Sequence, residues 1–144
     1  MVNYKELLIS TRDAEAIASL VGDHNRAGLE AEAANALADI LIDAPFVPSE
    51  RLPADRVAMN SRVTYREEPG GARRTVVLVQ PSEAAPAEGR ISVLSPVGRS
   101  LLGRRSGSTT SIEVPGGRAL MIRVLATEKP EPAAWAPGLA ELEN

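Results

Sequence analysis

One short polar stretch, between Gly22 and Gly28, offers side chains that could act on a metal ion or a charged substrate. These side chains are Asp23, His24, Asn25 and Arg26. Proteins hold Mg²⁺ mainly with several carboxylate and water oxygens, and Asp23 is the one acid between the two glycines. His24 is the one histidine of the chain, and a lone histidine is typically a solvated turn residue rather than a general base. The stretch therefore predicts no catalytic group and no metal site.

Composition narrows the classes of function further. The 144 residues include no cysteine, which excludes disulfides, thiolate metal sites and cysteine nucleophiles. Aromatic residues make up 3% of the chain, too few to interleave with basic residues and stack nucleic-acid bases. No apolar run approaches the ~20 residues of a membrane span, and no signal-peptide core follows the first residues. We therefore expect a soluble cytoplasmic protein with no cofactor, no small-molecule substrate, no membrane contact and no direct nucleic-acid binding.

Charge is distributed unevenly along the chain. The net charge is −3, but residues 1–56 sum to −5, residues 57–129 to +5 and residues 130–144 to −3. Asymmetry of this kind often accompanies a large charged partner, and it also arises by chance in small domains. The pattern is compatible with both interpretations.

The first 44 residues carry two helical repeats of apolar side chains. In the first, which Ser10 or Thr11 caps, apolar residues recur at positions 14, 17 and 21 before Gly22 ends the helix. In the second they recur at positions 29, 33, 36 and 40, and Pro45 stops the helix. Residues 1–44 are therefore predicted to form a short antiparallel helical hairpin, a coiled coil with an alanine-rich seam. Such an arm reaches only ~15–20 Å.

After a proline-rich linker, residues 45–56, the apolar period changes from helical to strand-like. Strands are predicted at residues 62–66, 75–79, 90–94, 108–114 and 118–127, and one short helix at residues 97–102. The β-branched run 75–79 predicts a central strand that is buried on both faces. The fold class is thus α+β, a helical hairpin followed by a curled antiparallel sheet around one short helix. In the Pro/Ala/Glu-rich tail, residues 130–144, Trp135 either packs back on the domain or serves as a contact anchor.

Two segments resemble a known family, the Rnk/Gre group of bacterial RNA-polymerase-binding proteins. One is the run Ser95-Pro96-Val97-Gly98-Arg99-Ser100-Leu101-Leu102-Gly103, followed by Val114-Pro115-Gly116-Gly117, which is similar to the C-terminal domain of Gre transcript-cleavage factors. The other, Met59-Asn60-Ser61-Arg62-Val63, resembles the Rnk type, named for regulation of nucleoside diphosphate kinase, more than Gre itself. The resemblance covers roughly residues 7–129 and implies that residues 57–129 form an FKBP-like domain.

The resemblance also implies a polymerase-binding surface. The loop with which Gre-like domains grip the rim of RNA polymerase matches Ser95, Pro96, Val97 and Gly98, and a nearby group of arginines extends it: Arg99, Arg104 and Arg105. A guanidinium donates in a rigid fork that suits carboxylate or phosphate. Each of these residues has a structural alternative as well, as part of a helix start, a helix end or a solvated face.

The length of the arm and the residues at its tip decide which activity the resemblance implies. Gre factors carry a long arm with acidic tip residues that help to hold a second Mg²⁺ in the polymerase, whereas this arm is short and offers Asp23 alone. We therefore expect a non-enzymatic regulator that docks at the secondary channel and competes with Gre-type factors. Two alternatives stay open, an active cleavage factor that works through Asp23 and a protein-interaction domain with another partner. Prolyl isomerase activity is not expected, because isomerase pockets of FKBP-like domains are lined by several aromatic residues and Tyr65 is the one aromatic residue of residues 57–129.

Overall fold

The computed structural model describes residues 7–22, 28–114 and 116–128. Three helices lie in these ranges: α1 (Thr11–Val21), α2 (Leu29–Asp43) and α3 (Pro96–Leu101). The strands are β1 (Ile9–Ser10), β2 (Phe46–Val47), β3 (Arg62–Glu68), β4 (Arg73–Val79), β5 (Arg90–Ser92), β6 (Thr109–Val114) and β7 (Arg118–Glu128). The α+β class and the predicted positions of both N-terminal helices are confirmed.

The two N-terminal helices begin and end where local chemistry dictates. Ser10 caps α1, since its hydroxyl accepts a hydrogen bond from the Asp13 amide at 3.1 Å. α1 ends at Gly22, and α2 ends before Pro45. β1 and β2 then pair in parallel, Ile9 opposite Phe46, and so join the chain before α1 to the chain after α2. The predicted linker, residues 45–56, therefore contains a strand and a short 3-10 turn.

The main sheet has five strands in the order β5-β4-β3-β7-β6. Three of its pairings are antiparallel, but β5 lies parallel to β4, so the prediction of a fully antiparallel sheet is wrong at this edge. The cause lies in residues 80–89, where two 3-10 turns carry the chain back before β5 starts in the same direction as β4. A simple hairpin would have reversed the strand.

β4 is an interior strand, between β5 and β3, rather than the central one, and it is buried on both faces only at its end. Val76 and Leu78 point into the core, whereas Thr75 is exposed and Val77 is half-buried. Val79, which lies on the same face as Thr75 and Val77, is fully buried, so the outer face of β4 is open to solvent only over the first part of the strand. This difference matters because the outer face carries polar and charged side chains from several strands.

A single apolar cluster holds the helices and the sheet together. Ile17 of α1, Leu37 of α2 and Leu101 of α3 are 0% exposed, and so are Val63 and Ile122 of the sheet. Full burial of a side chain of this size stabilises a fold by about 1.5–3 kcal/mol. The hairpin therefore packs into the same core as the sheet. The exact boundaries 1–44, 45–56, 57–129 and 130–144 remain a prediction.

Candidate functional site

Local hydrogen bonds fix the start of α3. The Ser95 hydroxyl donates to the Ser92 carbonyl at 2.7 Å and accepts from the Gly98 amide at 3.0 Å. The Ser92 hydroxyl accepts in turn from the Leu94 amide at 3.0 Å. Pro96 occupies the first helical turn, where its missing N–H costs nothing. The predicted segment therefore presents Ser95, Pro96 and Val97 half-exposed on a rigid support.

Gly98 has a packing role that its place in a motif did not reveal. It is buried, and a Cβ built on it would overlap the carbonyl oxygen of Ser92 and crowd the Ser95 hydroxyl. Any side chain here would push α3 away from the end of β5. Gly98 therefore supports the Ser95–Val97 surface from beneath rather than forming part of it.

The three arginines predicted near this segment lie in different environments. Arg99 is half-buried and donates to the Leu94 carbonyl at 2.7 Å, and burial lowers the pKa of its guanidinium from the ordinary value. Arg104 is only 6% exposed, and its Nε donates to the Ser100 carbonyl at 3.2 Å. Arg105 is exposed. Arg105 is thus the member of the group whose charge is most open to a partner.

Gly103 marks the place where the first described residues dock onto the end of α3. Its backbone has φ of +78°, a left-handed conformation that favours glycine. Its carbonyl accepts from the Leu8 amide at 3.1 Å and from the Arg56 side chain at 3.2 Å, and its amide donates to Val57 at 2.8 Å. A Cβ would lie 3.2 Å from the Leu8 carbonyl and the Ile9 side chain. The Leu-Leu-Gly motif therefore serves the joint between hairpin and sheet.

A second connection at this joint, through Asp13, was not predicted. From the sequence Asp13 is simply an acid in the first turn of α1, where the helix dipole favours carboxylates. In the structure Asp13 is 6% exposed, and its Oδ2 accepts from the Met59 amide at 2.9 Å. Burial raises the pKa of Asp13 above its ordinary value, although the hydrogen bonds from Met59 and Ser10 and the charge of Arg12 act in the opposite direction. No local pattern signals this contact, because it joins residues 46 positions apart.

A cavity of about 340 Å³ opens beside Asp13, between the start of α1 and residues 49–61. Its lining mixes the Asp13 carboxyl with Arg12, Arg56 and Asn60. Asn60 adopts a left-handed φ of 69°, which asparagine tolerates better than most residues. This turn leads directly into β3 and donates from the Asn60 amide to Leu78 at 2.6 Å. The Met59–Ser61 part of the motif is thus the second half of the joint.

Several predicted functional residues lie outside the described residues. They are the hairpin-tip residues Asp23, His24, Asn25 and Arg26, and Trp135 in the tail. Within the described ranges, no group of three or more histidine or acidic side chains is placed to hold a metal ion. None of the helices in the same ranges is long and apolar enough to cross a membrane.

Comparison with known proteins places these features in a family. Residues 52–129 match the family described as "Transcription elongation factor, GreA/GreB, C-term". The "Regulator of nucleoside diphosphate kinase" of Escherichia coli K12 is 40% identical over 129 residues, which cover 88% of this chain and 93% of that protein. "Transcription elongation factor GreA" of Geobacillus kaustophilus is 34% identical over 92 residues, 64% of this chain and 58% of the relative.

A solved structure of a GreA/GreB protein also resembles this chain, in fold and in sequence. The "Prokaryotic transcription elongation factor GreA/GreB from Nitrosomonas europaea" superposes with a TM-score of 0.68 at 31% identity, covering 85% of this chain and 98% of that one. The resemblance seen in the Ser95–Gly103 and Met59–Val63 motifs is confirmed by these matches. Because the family match spans more than half of the sequence and the regulator is similar over nearly all of it, the chain belongs to the GreA/GreB transcription elongation factor family.

Proposed function

We propose that this protein is a non-catalytic regulator that binds bacterial RNA polymerase at the secondary channel and competes there with Gre-type factors. One observation carries the proposal. The chain combines a GreA/GreB-type C-terminal domain with a hairpin of only 11 and 15 helical residues, whose buried faces belong to the same core as the sheet. Such a protein would dock through its C-terminal domain, as proposed here, and would carry only a short arm.

The arm supports occlusion rather than catalysis. At 1.5 Å per residue, α1 is about 16 Å long and α2 about 22 Å. Ile17 of α1 is fully buried, so α1 continues for only four residues, about 6 Å, beyond this anchor in the core. Asp23 is the one acid between Gly22 and Gly28, and a single carboxylate is a weak ligand set for Mg²⁺. The hairpin would fill the mouth of the channel and hinder other ligands there.

The docking surface is proposed to centre on the start of α3. Ser95, Pro96 and Val97 are half-exposed, and their support beneath, Gly98, admits no side chain. Arg105 supplies an exposed positive charge near the end of the helix, and the half-buried Arg99 braces the segment through Leu94. Arg104 contributes by holding the Ser100 carbonyl, since it is almost fully buried. The tip residues 23–26 would face the channel.

The finer description of the fold belongs to the same proposal. Residues 57–129 would act as an FKBP-like docking domain and residues 1–44 as a short coiled-coil arm, joined through residues 45–56. Action on the polymerase places the protein in the cytoplasm. Any influence on nucleoside diphosphate kinase would follow indirectly from transcription.

A matched pair of charge reversals tests the docking surface. We expect Arg105→Glu to weaken binding to core RNA polymerase about tenfold, equivalent to ~1.4 kcal/mol, with the loss shrinking at high salt. Arg51→Glu is the control, because Arg51 is exposed and lies in the 3-10 turn after β2, outside the proposed surface. Biolayer interferometry with immobilised polymerase measures both. Equal affinities for the two variants would remove Arg105 from the docking surface.

A further inference from the structure

Three arginines stand side by side on the outer face of the sheet. Val63 and Tyr65 of β3 point into the core, so Arg66 points outward, as alternation along a strand requires. Arg66 is paired with Arg73 on β4 and with Arg123 on β7, both of which are exposed. We call Arg73, Arg66 and Arg123 the arginine row.

Hydroxyl groups continue the arginine row and flank it. Thr109 on β6 is paired with Arg123 and is exposed. The arginine row together with Thr109 therefore crosses four strands, or about 14 Å at 4.8 Å between neighbouring strands. On one side, Thr64 and Thr75 share a hydrogen bond of 3.1 Å between their hydroxyls. The guanidinium groups, the Thr109 hydroxyl and the accepting member of the Thr64–Thr75 pair can each donate a hydrogen bond to an oxygen anion.

The arginine row carries more positive charge than its neighbours balance. Arg66 forms an ion pair with Glu68 at 2.9 Å. No ion pair to a described side chain is found for Arg73 or Arg123. Like charges directly opposite each other on neighbouring strands destabilise a sheet. A row of this kind is therefore costly to the free protein, and an anionic partner would relieve the cost.

The chemistry of the face favours phosphate over a protein surface. Protein interfaces draw most of their energy from Trp, Tyr and Arg anchors that fill well-packed, desolvated pockets. This face offers arginine without such packing, since Met121 is the one large apolar side chain that is well exposed on the described part of it. Phosphate contacts need only donors, which this face supplies through guanidinium and hydroxyl groups. We propose that the arginine row binds the phosphate backbone of nucleic acid, independently of base sequence.

The scarcity of aromatic residues predicts no direct nucleic-acid binding, but it bears only on binding by base stacking. Contact with the backbone requires no aromatic side chain, since salt-dependent attraction between arginine and phosphate supplies nearly all non-specific affinity. The alignment of the three arginines depends on strand register, which the sequence does not display. Sequence-independent binding of modest affinity is therefore the expected form of the interaction.

The test uses purified full-length protein and nucleic acid alone, without polymerase, so that its outcome does not depend on the docking proposal. Fluorescence anisotropy of a labelled RNA single strand and of a labelled DNA duplex is followed between about 50 and 200 mM salt. The triple variant carries Arg66→Gln, Arg73→Gln and Arg123→Gln. The matched control removes the same charge at exposed positions off the row, with Arg12→Gln, Arg51→Gln and Arg118→Gln.

We expect the row variant to bind both probes more weakly than the control. The slope of log affinity against log salt falls by about 0.7 to 0.9 for each lost phosphate contact, hence by about two to three for the row, while the control keeps most of the wild-type slope. Circular dichroism and the unfolding temperature verify that both variants fold. Equal losses in the two variants, or no binding by the wild type at low salt, would overturn the proposal. So would tighter binding of polyglutamate than of nucleic acid, which would identify an acidic protein segment as the occupant.

Discussion

Asp13 illustrates how one side chain joins two parts of the molecule. Its Oδ2 accepts from the Met59 amide at 2.9 Å, and its own amide donates to the Ser10 hydroxyl at 3.1 Å. The carboxyl therefore ties the start of α1 to the turn that precedes β3. Because Asp13 is 6% exposed, its charge is costly and its role as an acceptor is the useful part.

Substitutions at Asp13 separate the acceptor from the charge. Asp13→Ala leaves the buried Met59 amide without a partner, so we expect the free energy of unfolding to fall by about 1–3 kcal/mol. Asp13→Asn keeps an acceptor oxygen and avoids burying a charge, so the loss at neutral pH should be much smaller. Urea denaturation measures both variants. An asparagine variant as unstable as the alanine variant would show that the charge itself is required.

The difference in stability between wild type and Asp13→Asn depends on pH in a direction that the structure predicts. Burial raises the pKa of Asp13, so the folded state holds the proton more tightly than the unfolded state. The resulting stabilisation is complete below the ordinary value of 3.8 and is lost as pH rises through the raised folded value. On acidification across that window, wild type should therefore gain stability relative to Asp13→Asn, which does not titrate. The opposite trend would indicate that hydrogen bonds outweigh burial.

At the scale of elements, α3 shows what a motif can and cannot predict. The serine before a proline predicts the helix start, and Ser95 caps α3 as that pattern indicates. The need for glycine at position 98 comes from the Ser92 carbonyl, which approaches from the end of β5. Periodicity likewise predicts β5 as a strand but not its parallel direction, since direction depends on the path of residues 80–89.

A glycine-to-alanine pair tests the packing of α3. We expect Gly98→Ala to lower the free energy of unfolding by about 1–3 kcal/mol, because the new methyl group overlaps the Ser92 carbonyl. Gly22→Ala is the control, since Gly22 has φ of −80° and the new Cβ would lie 3.3 Å from the Ala18 carbonyl oxygen, without overlap. Chemical denaturation of the two variants gives the comparison. Equal stability would mean that α3 shifts at little cost.

At the scale of the whole molecule, the helices and strands follow from apolar periodicity, but their assembly does not. Ala14 and Ile17 of α1 are buried, as their spacing predicts. The contacts that orient the hairpin on the sheet, Asp13 with Met59 and Leu8 with Gly103, join residues far apart in sequence. The arginine row similarly requires the register of three strands. Contacts between residues that are far apart in sequence are therefore the features that the sequence alone does not predict.

The core that the hairpin shares with the sheet bears on the proposed function. Side chains of α1, α2, α3 and the sheet form one cluster, so the described part of the hairpin packs against the sheet. Under the proposed function, a short arm whose helices pack in this way suits a protein that occupies a channel entrance, because little conformational entropy is lost on binding. It does not suit a protein that must carry carboxylates deep into an active site.

The most direct measurement adds the purified protein to stalled elongation complexes, with and without a Gre factor, and follows both transcript cleavage and displacement of the Gre factor. The account predicts no cleavage by this protein alone, and Gre-dependent cleavage that declines as its concentration rises. Transcript cleavage by this protein alone that disappears with Asp23→Ala would contradict it and identify a short-armed cleavage factor. Undiminished Gre activity at saturating concentrations of this protein would contradict the proposed competition for the secondary channel.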